Sequence, residues 1–193
     1  MSENTDPNPQ TPYGKSKYEA EQYLLKQELP ENKRLFIIRP CMIHGPGNKG
    51  NLNLLYNVVK KGIPWPLASF SNNRSFLSID NLSFLIEALL QKHDLKSGIY
   101  NFSDDDTLST NELVSLIGNT LGKKEKLWYI SPFLIRLIVK IGDVLPLPLN
   151  SERLKKLTES YVVSNSKIKK DLEITRLPVT LKEGLIKTFR SFN

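Results

Sequence analysis

Apolar positions follow two different rhythms along this chain. From Pro12 to Leu29 they fall at broadly helical spacing, with Tyr18, Leu24, Leu25 and Leu29 in phase, Pro12 suited to a first turn and Pro30 as the stop. Leu35-Phe36-Ile37-Ile38 is instead a short continuous apolar run, the pattern of a strand buried on both faces of a parallel sheet. After a glycine-rich loop the helical rhythm returns from Leu52 to Lys61, and Gly62 ends it; Ile63-Pro64-Trp65-Pro66 cannot be regular structure. Arg74 to Ile79 alternates as a strand, and Asp80 is the expected N-cap of an apolar helix from Leu82 to Leu90. Gly98 to Phe102 reads as a further strand, and Ser109 or Thr110 is placed to cap a helix that Gly122 closes after Leu121. Beyond Ile130 the pattern is mostly helical, over Phe133 to Val144, Glu152 to Tyr161 and Leu181 to Phe192, with Pro146, Pro148 and Pro178 between.

Strands alternating with helices and followed by a helical region predict an α/β fold: the C-terminal part of a Rossmann-like parallel sheet joined to a mostly helical region. The expected division is a polar loop at 1–11, a partial Rossmann segment at 12–50, and a further region at 51–193. Within the last, the strand at 98–103 is expected to return to the Rossmann sheet. A dinucleotide-binding sheet opens with a strand, a glycine turn and a helix, with an acidic residue about 20 positions on. This chain opens on a loop and a helix, so the cofactor-binding first half is expected to be missing from it.

Composition narrows the chemistry. With 39% hydrophobic and 24% charged residues the chain can bury a core. The start MSENTDPNPQTP is polar rather than signal-like, and no run approaches the roughly 20 apolar residues of a membrane span. The apolar stretch Phe133 to Ile141 is about ten residues long and carries Arg136 and Lys140, so a core or interface helix is expected rather than membrane insertion. A cytoplasmic protein follows as the expectation. The lone cysteine, Cys41, has no disulfide partner and sits where a small buried residue belongs, and His44 and His93 belong to no spaced ligand set, so no metal is expected. Of the net charge of +7, residues 150–193 hold +5, from ten Lys/Arg against five Asp/Glu. These cations interleave with helical apolar positions and have no nucleic-acid motif around them, which predicts a solvated basic face and no nucleic-acid partner.

Two patterns invite a chemical reading. Gly45-Pro46-Gly47-Asn48-Lys49-Gly50 matches G-x-G-x-x-G, but the run from Arg39 to His44 separates it from the predicted strand, and no Asp or Glu lies between Gly50 and Asp80 to hold a ribose. Tyr-x-x-x-Lys places a phenol and an ammonium four positions apart on one helix face. The cation favours the phenolate, so such a Tyr can take a proton from a sugar hydroxyl while the Lys holds a ribose. With 7 Tyr and roughly one residue in ten a Lys, about 0.7 matches arise by chance, and there are two, Tyr13/Lys17 and Tyr56/Lys60.

Context separates them. Thr11-Pro12-Tyr13-Gly14-Lys15-Ser16-Lys17-Tyr18-Glu19-Ala20-Glu21 resembles the P-x-x-Y-G-x-S-K-x-x-x-E signature of extended short-chain dehydrogenases. Arg39-Pro40 followed by Gly45-Pro46-Gly47, then Arg74 to Asp80 (like R-x-F-x-x-V-x-D), then Gly98 to Ser103 (like G-x-Y-N-x-S) follow in that family's order. Leu181-Lys182-Glu183-Gly184-Leu185 continues the resemblance to the tail. Gly45 to Asn51 followed by Leu55 to Pro64 is similar to bacterial UDP-N-acetylhexosamine 4-epimerases and 4-keto reductases of surface-polysaccharide pathways.

The resemblance implies that the helix within 12–50 is catalytic and that 51–193 is a mostly helical substrate-binding domain, and with them a set of residue roles. Tyr13 would be the general base or acid and Lys17 its partner and ribose ligand, both also touching NAD or NADP. The backbone of Pro40, Cys41 and Met42 would pass the nicotinamide; Asn51, Asn53, Arg74 and Arg153 would hold a UDP-sugar, Arg74 by its diphosphate. Asp80 is expected as a helix cap and loop organiser, not an acid catalyst. Met42 and His44 depart from the Asn and Tyr common in that loop. The implied activity is epimerisation or reduction at C4 of a UDP-hexose or UDP-N-acetylhexosamine, with this stretch inactive alone. A non-catalytic nucleotide-sugar or partner-binding module is the alternative. Relatives often pair through the helix bearing the Tyr, which points to a homodimer.

Overall fold

The computed structural model describes residues 1–143 and 150–192. Val144, Pro146 and Pro148, used above to end one helix and begin the next, lie outside the described residues.

The chain begins with α1 (Pro12–Leu25), capped by the Thr11 hydroxyl, which accepts the Gly14 N–H at 3.1 Å. It stops short of the expected Leu29, because Lys26 and Gln27 turn their amides to Tyr23 and Leu24 in tightened bonds. Leu29, preceding Pro30, is also disfavoured as helix. β1 (Phe36–Pro40) pairs in parallel with β4 (Gly98–Phe102), with Ile38 opposite Tyr100. The expectation of a strand buried on both faces is corrected here: Phe36 to Arg39 are half-buried and Pro40 is exposed. Among the described residues β1 has a neighbour on one side only.

One residue later the chain enters a second sheet. β2 (Met42–His44) runs parallel to β3 (Arg74–Ser78), and β3 pairs antiparallel with β5 (Thr107–Leu108). Between β2 and β3 lies α2 (Asn51–Lys60). β3 is buried on both sides, sending Phe76 into one core and Leu77 into another. The first core gathers α2, α4 (Thr110–Thr120), α5 (Pro132–Gly142), α6 (Ser151–Thr158) and α8 (Leu181–Arg190) around Tyr56, Phe76, Ile117 and Phe189. The second joins α3 (Ile79–Gln91), β4 and α7 (Ser166–Asp171) through Leu85, Phe102 and Ile168.

Local chemistry sets these boundaries. Ser109 with Glu112 and Thr180 with Glu183 form reciprocal capping boxes at the starts of α4 and α8. Gly122, just past α4, has φ +65, where a side chain would be strained. The cap of α3 is Ser78, not Asp80: the Ser78 hydroxyl accepts the Asn81 N–H at 3.1 Å. The Asp80 carboxylate is drawn instead to Lys187 on α8, at 2.7 Å. The three-residue β2, the two-residue β5 and the six-residue α7 were not expected from periodicity.

Candidate functional site

α1 buries no residue, so side-chain bonds rather than a core hold it in place. Arg39, on β1, clasps the Glu21 carboxylate with both arms, Nε to Oε2 at 3.0 Å and Nη2 to Oε1. Both side chains are mostly enclosed, 11% exposed for Glu21 and 23% for Arg39, and the bond to Glu21 holds Arg39 above its ordinary pKa. Arg39 Nη1 also donates to the Glu3 carbonyl, while the Glu3 carboxylate accepts the Asn101 N–H at 2.9 Å, tying the N-terminal segment to the same strands.

On the helix so held, Tyr13 is 73% exposed and the Lys17 ammonium lies 5.5 Å from its ring centre. The phenol and the cation thus stand side by side in solvent. The second Tyr-x-x-x-Lys pair has the same spacing, with Lys60 5.7 Å from the Tyr56 ring, but Tyr56 is 1% exposed and packs on Phe189 and Phe192. No substrate can reach it there. Past Arg39, Pro40 is exposed, Met42 is half-buried, and Cys41 is buried with its amide bonded to Phe102 O at 3.0 Å. Burial, aided by the nearby Asp104 charge, pushes the Cys41 thiol up to about 12.

The glycine loop needs one correction. β2 leads straight into Gly45 and Gly50 caps α2, so the loop does lie between a strand and a helix without a gap. It still offers little to a phosphate: the Gly47 N–H donates to Ser191 Oγ at 3.0 Å, and the Gly50 N–H to Asn48 Oδ1 at 2.8 Å. Gly47, at φ +76, makes the turn that sends the chain toward α8. Asn51 is exposed at the start of α2, while Asn53 turns its amide to Asn48 O at 3.4 Å and accepts from Asn57 at 2.7 Å.

Arg74 opens β3 half-buried. Its Nη1 donates to Lys156 O at 2.7 Å, and it forms no ion pair with the described residues. Burial pulls its pKa below the ordinary value against the opposing charge of Glu159. An arginine held this way stays protonated and can offer its remaining donors to an anion. Arg153 sits in the first turn of α6, its backbone N–H capped by Asn150 at 2.9 Å. Through Glu21 and Arg39 the helix that bears Tyr13 and Lys17 is tied to β1. Among the described residues no hydrogen bond joins Asn51, Asn53 or Arg74 to them.

Sequence reasoning missed a buried polar cluster. His44, at 1% exposure, holds Thr188 Oγ1 at 3.0 Å through Nδ1, while its Nε2 lies 3.7 Å from Asp104 and makes no hydrogen bond. Asp104 accepts from the Ser78 N–H at 3.1 Å and from Asn81 Nδ2 at 2.7 Å. Asn81 in turn donates to Val179 O at 2.8 Å. Gly184 on α8 sits against this cluster; a Cβ there would come within 2.9 Å of Ser78 Cβ and 3.3 Å of His44 Cε1. The signal available in the sequence was Gly184 inside a helical pattern, where a glycine that costs helix stability has a packing reason. Among the described residues no group of three His, Cys, Asp or Glu could hold a metal, and no helix is long and apolar enough to cross a membrane.

Comparison with known proteins follows the same outline. Residues 1–102 match the model of the NAD dependent epimerase/dehydratase family. A UDP-glucose 4-epimerase of Vibrio cholerae is 32% identical over 185 residues, covering 95% of this chain and 54% of the relative. An Escherichia coli O157:H7 protein, N-acetyl-alpha-D-glucosaminyl-diphospho-ditrans,octacis-undecaprenol 4-epimerase, is 28% identical, covering 97% and 59%. The chain thus spans rather more than half the length of the curated relatives it matches. In fold it is similar to the Bordetella bronchiseptica enzyme WbmG in complex with NAD and UDP, with a TM-score of 0.72 at 18% identity over all of this chain and 52% of that one.

Proposed function

The chain belongs to the NAD-dependent epimerase/dehydratase family, and from that premise we propose that it contributes the proton-transfer and sugar-binding side of a UDP-hexose or UDP-N-acetylhexosamine 4-epimerase or 4-keto reductase. One observation carries the reading: of the two Tyr-x-x-x-Lys pairs, the one inside the family signature is the one in solvent, on a helix clamped to β1. The two curated relatives act, by name, on a hexose carried on a diphosphate, which supports that substrate class. In this proposal 12–50 presents the reacting groups and 51–193 the sugar-nucleotide contacts.

The residues present fit one end of a nicotinamide cofactor. Tyr13, Lys17 and the backbone from Pro40 to Met42 would meet its ribose and ring, whereas the glycine loop's Gly47 and Gly50 amides are already bonded and do not form the dinucleotide cradle. When bound, NAD or NADP would supply the hydride acceptor or donor at C4. Tyr13 would accept the proton of the C4 hydroxyl and later return it, and Lys17 would stabilise the negative charge that the phenolic oxygen carries before it takes that proton. Arg74 would hold a diphosphate oxygen with its forked donors, fixing the sugar's register. The chain alone would turn over no UDP-sugar.

Two measurements test this. Calorimetric titration with UDP should show binding that Arg74→Ala weakens by about tenfold or more. Joined to a matching dinucleotide-binding half, the chain should interconvert C4 epimers or reduce a 4-keto sugar, and Tyr13→Phe should lower turnover by about 10²–10⁴-fold. UDP binding without turnover in the joined protein would favour a binding module instead, and robust turnover by the unjoined chain would refute the division of labour.

A further inference from the structure

α5 is the most apolar of the described helices, yet only Ile135, Val139 and Gly142 of it are buried. With successive residues about 100° apart, Phe133, Leu134, Leu137, Ile138 and Ile141 share one arc and are 49–74% exposed. Ile135, Val139 and Gly142 occupy the opposite side and are buried, Ile135 and Val139 in the first core. Arg136 and Lys140 fill the flank between. They border an open cavity of about 430 Å³ between α5 and α6 whose rim also holds Lys155, Ser151 and Thr158.

No acidic residue interrupts α5. The nearest carboxylates are engaged: Asp143 accepts from the Ser151 N–H at 2.8 Å, and Glu152 pairs with Lys156 at 2.5 Å. Arg136, Lys140 and Lys155 form no ion pair with the described residues. An apolar arc bounded by cations and hydroxyls, on a chain of net charge +7, is the make-up of a helix that lies in a membrane interface. The cations beside the arc have no acidic partners there and complement an anionic surface, whereas a second copy of this chain would bring cations to cations.

We infer that the α5–α6 face docks on an anionic lipid surface. The Phe133 to Ile141 arc rests at the acyl boundary, and Arg136, Lys140 and Lys155 receive head-group phosphates in the adjoining cavity. This orientation is peripheral and needs no spanning helix. It stands independently of the roles assigned to Tyr13 and Lys17.

The test is flotation of the full chain with vesicles of phosphatidylcholine alone or mixed with phosphatidylglycerol. The mixed vesicles should carry the chain up, and binding should fall as salt is raised. Lys140→Gln with Lys155→Gln should weaken binding roughly 25-fold, about fivefold for each cation near the surface. Leu137→Glu with Ile138→Glu should weaken it by an order of magnitude or more. All four positions are at the surface, so thermal melting should find both variants folded. Failure to float with mixed vesicles would overturn the inference. So would equal flotation on phosphatidylcholine alone, or light scattering that shows a dimer broken by Leu137→Glu, because the arc would then cover a second copy.

Discussion

Because α1 buries no side chain, removing one of its tethers should loosen that helix and little else. Glu21→Gln keeps the shape of the side chain but replaces a carboxylate gripped by both arms of Arg39 with a neutral amide able to accept one bond. Hydrogen bonds to charged groups contribute about 1.5–3 kcal/mol each. Both partners are partly open to solvent, so about 1.5–3 kcal/mol for the whole pair is the fitting figure after screening. An isolated helix of 14 residues is marginal in water, so the loss should appear as local opening. At about 1.4 kcal/mol per decade, amide exchange across Ser16 to Leu25 should accelerate by roughly 10- to 150-fold. Exchange in β3, α4 and α8 should not change, and the melting temperature should move little, since those elements share a core that α1 does not enter. Hydrogen exchange read by NMR separates the outcomes. Unchanged protection in α1 would mean that something other than the Glu21–Arg39 pair holds it; accelerated exchange throughout would mean that α1 is part of the cooperative core. Either result would refute the tether.

Three further outcomes follow from the geometry. Gly184→Ala should lower stability by about 1 kcal/mol, since the roughly 1 kcal/mol gained in helix preference is outweighed by an overpacking cost of about 1–3 kcal/mol against Ser78 and His44; an unchanged or raised melting temperature would contradict the close approach. For Asp105, burial alone would raise the pKa, but the Leu177 N–H, Lys169 and Asn165 more than offset it and hold the carboxyl below the usual range. Its stabilising share is therefore complete above about pH 4 and is lost as pH falls through the lower, folded-state value. Asp105→Asn should lower stability at neutral pH and shrink the acid-side loss, and a pH series of denaturant midpoints with equal slopes for both proteins would contradict this. Cys41, pushed up to about 12, should resist thiol reagents at pH 8 until the chain is unfolded, as a colorimetric thiol assay with and without denaturant would show.

The elements that periodicity located are those with a one-sided core and a strong cap. Thr110–Thr120 begins at the capping box of Ser109 and Glu112 and ends before a glycine at positive φ, so each boundary is written in neighbouring residues. Gly98–Phe102 was bounded by its own glycine and by polar residues. β2 and β5 were illegible because strands of three and two residues are too short to show a period and are fixed by partners more than 30 residues away. The Asp80 cap failed because local spacing suits Asp80 and Ser78 alike, and a lysine 107 positions on decides between them. Tyr13 and Lys17 stood out because their neighbours resemble a signature. The His44–Asp104–Asn81 cluster did not, since its members come from β2, the stretch after β4 and α3, and nothing local marks them as neighbours.

The chain changes sheets twice at one level, at Cys41 between β1 and β2 and just after Phe102, where the Cys41 amide meets the Phe102 carbonyl and the Asp104 amide meets Phe76. Such a crossing leaves no slack. One extra residue ahead of Met42 would reverse the alternation of β2, turning the imidazole of His44 outward and driving the surface side chain of Ile43 into the space beside Asp104. Length changes should therefore concentrate in outlying stretches such as the turn around Lys123 and Lys124, while the joint at residue 41 should keep its count even where its side chains drift.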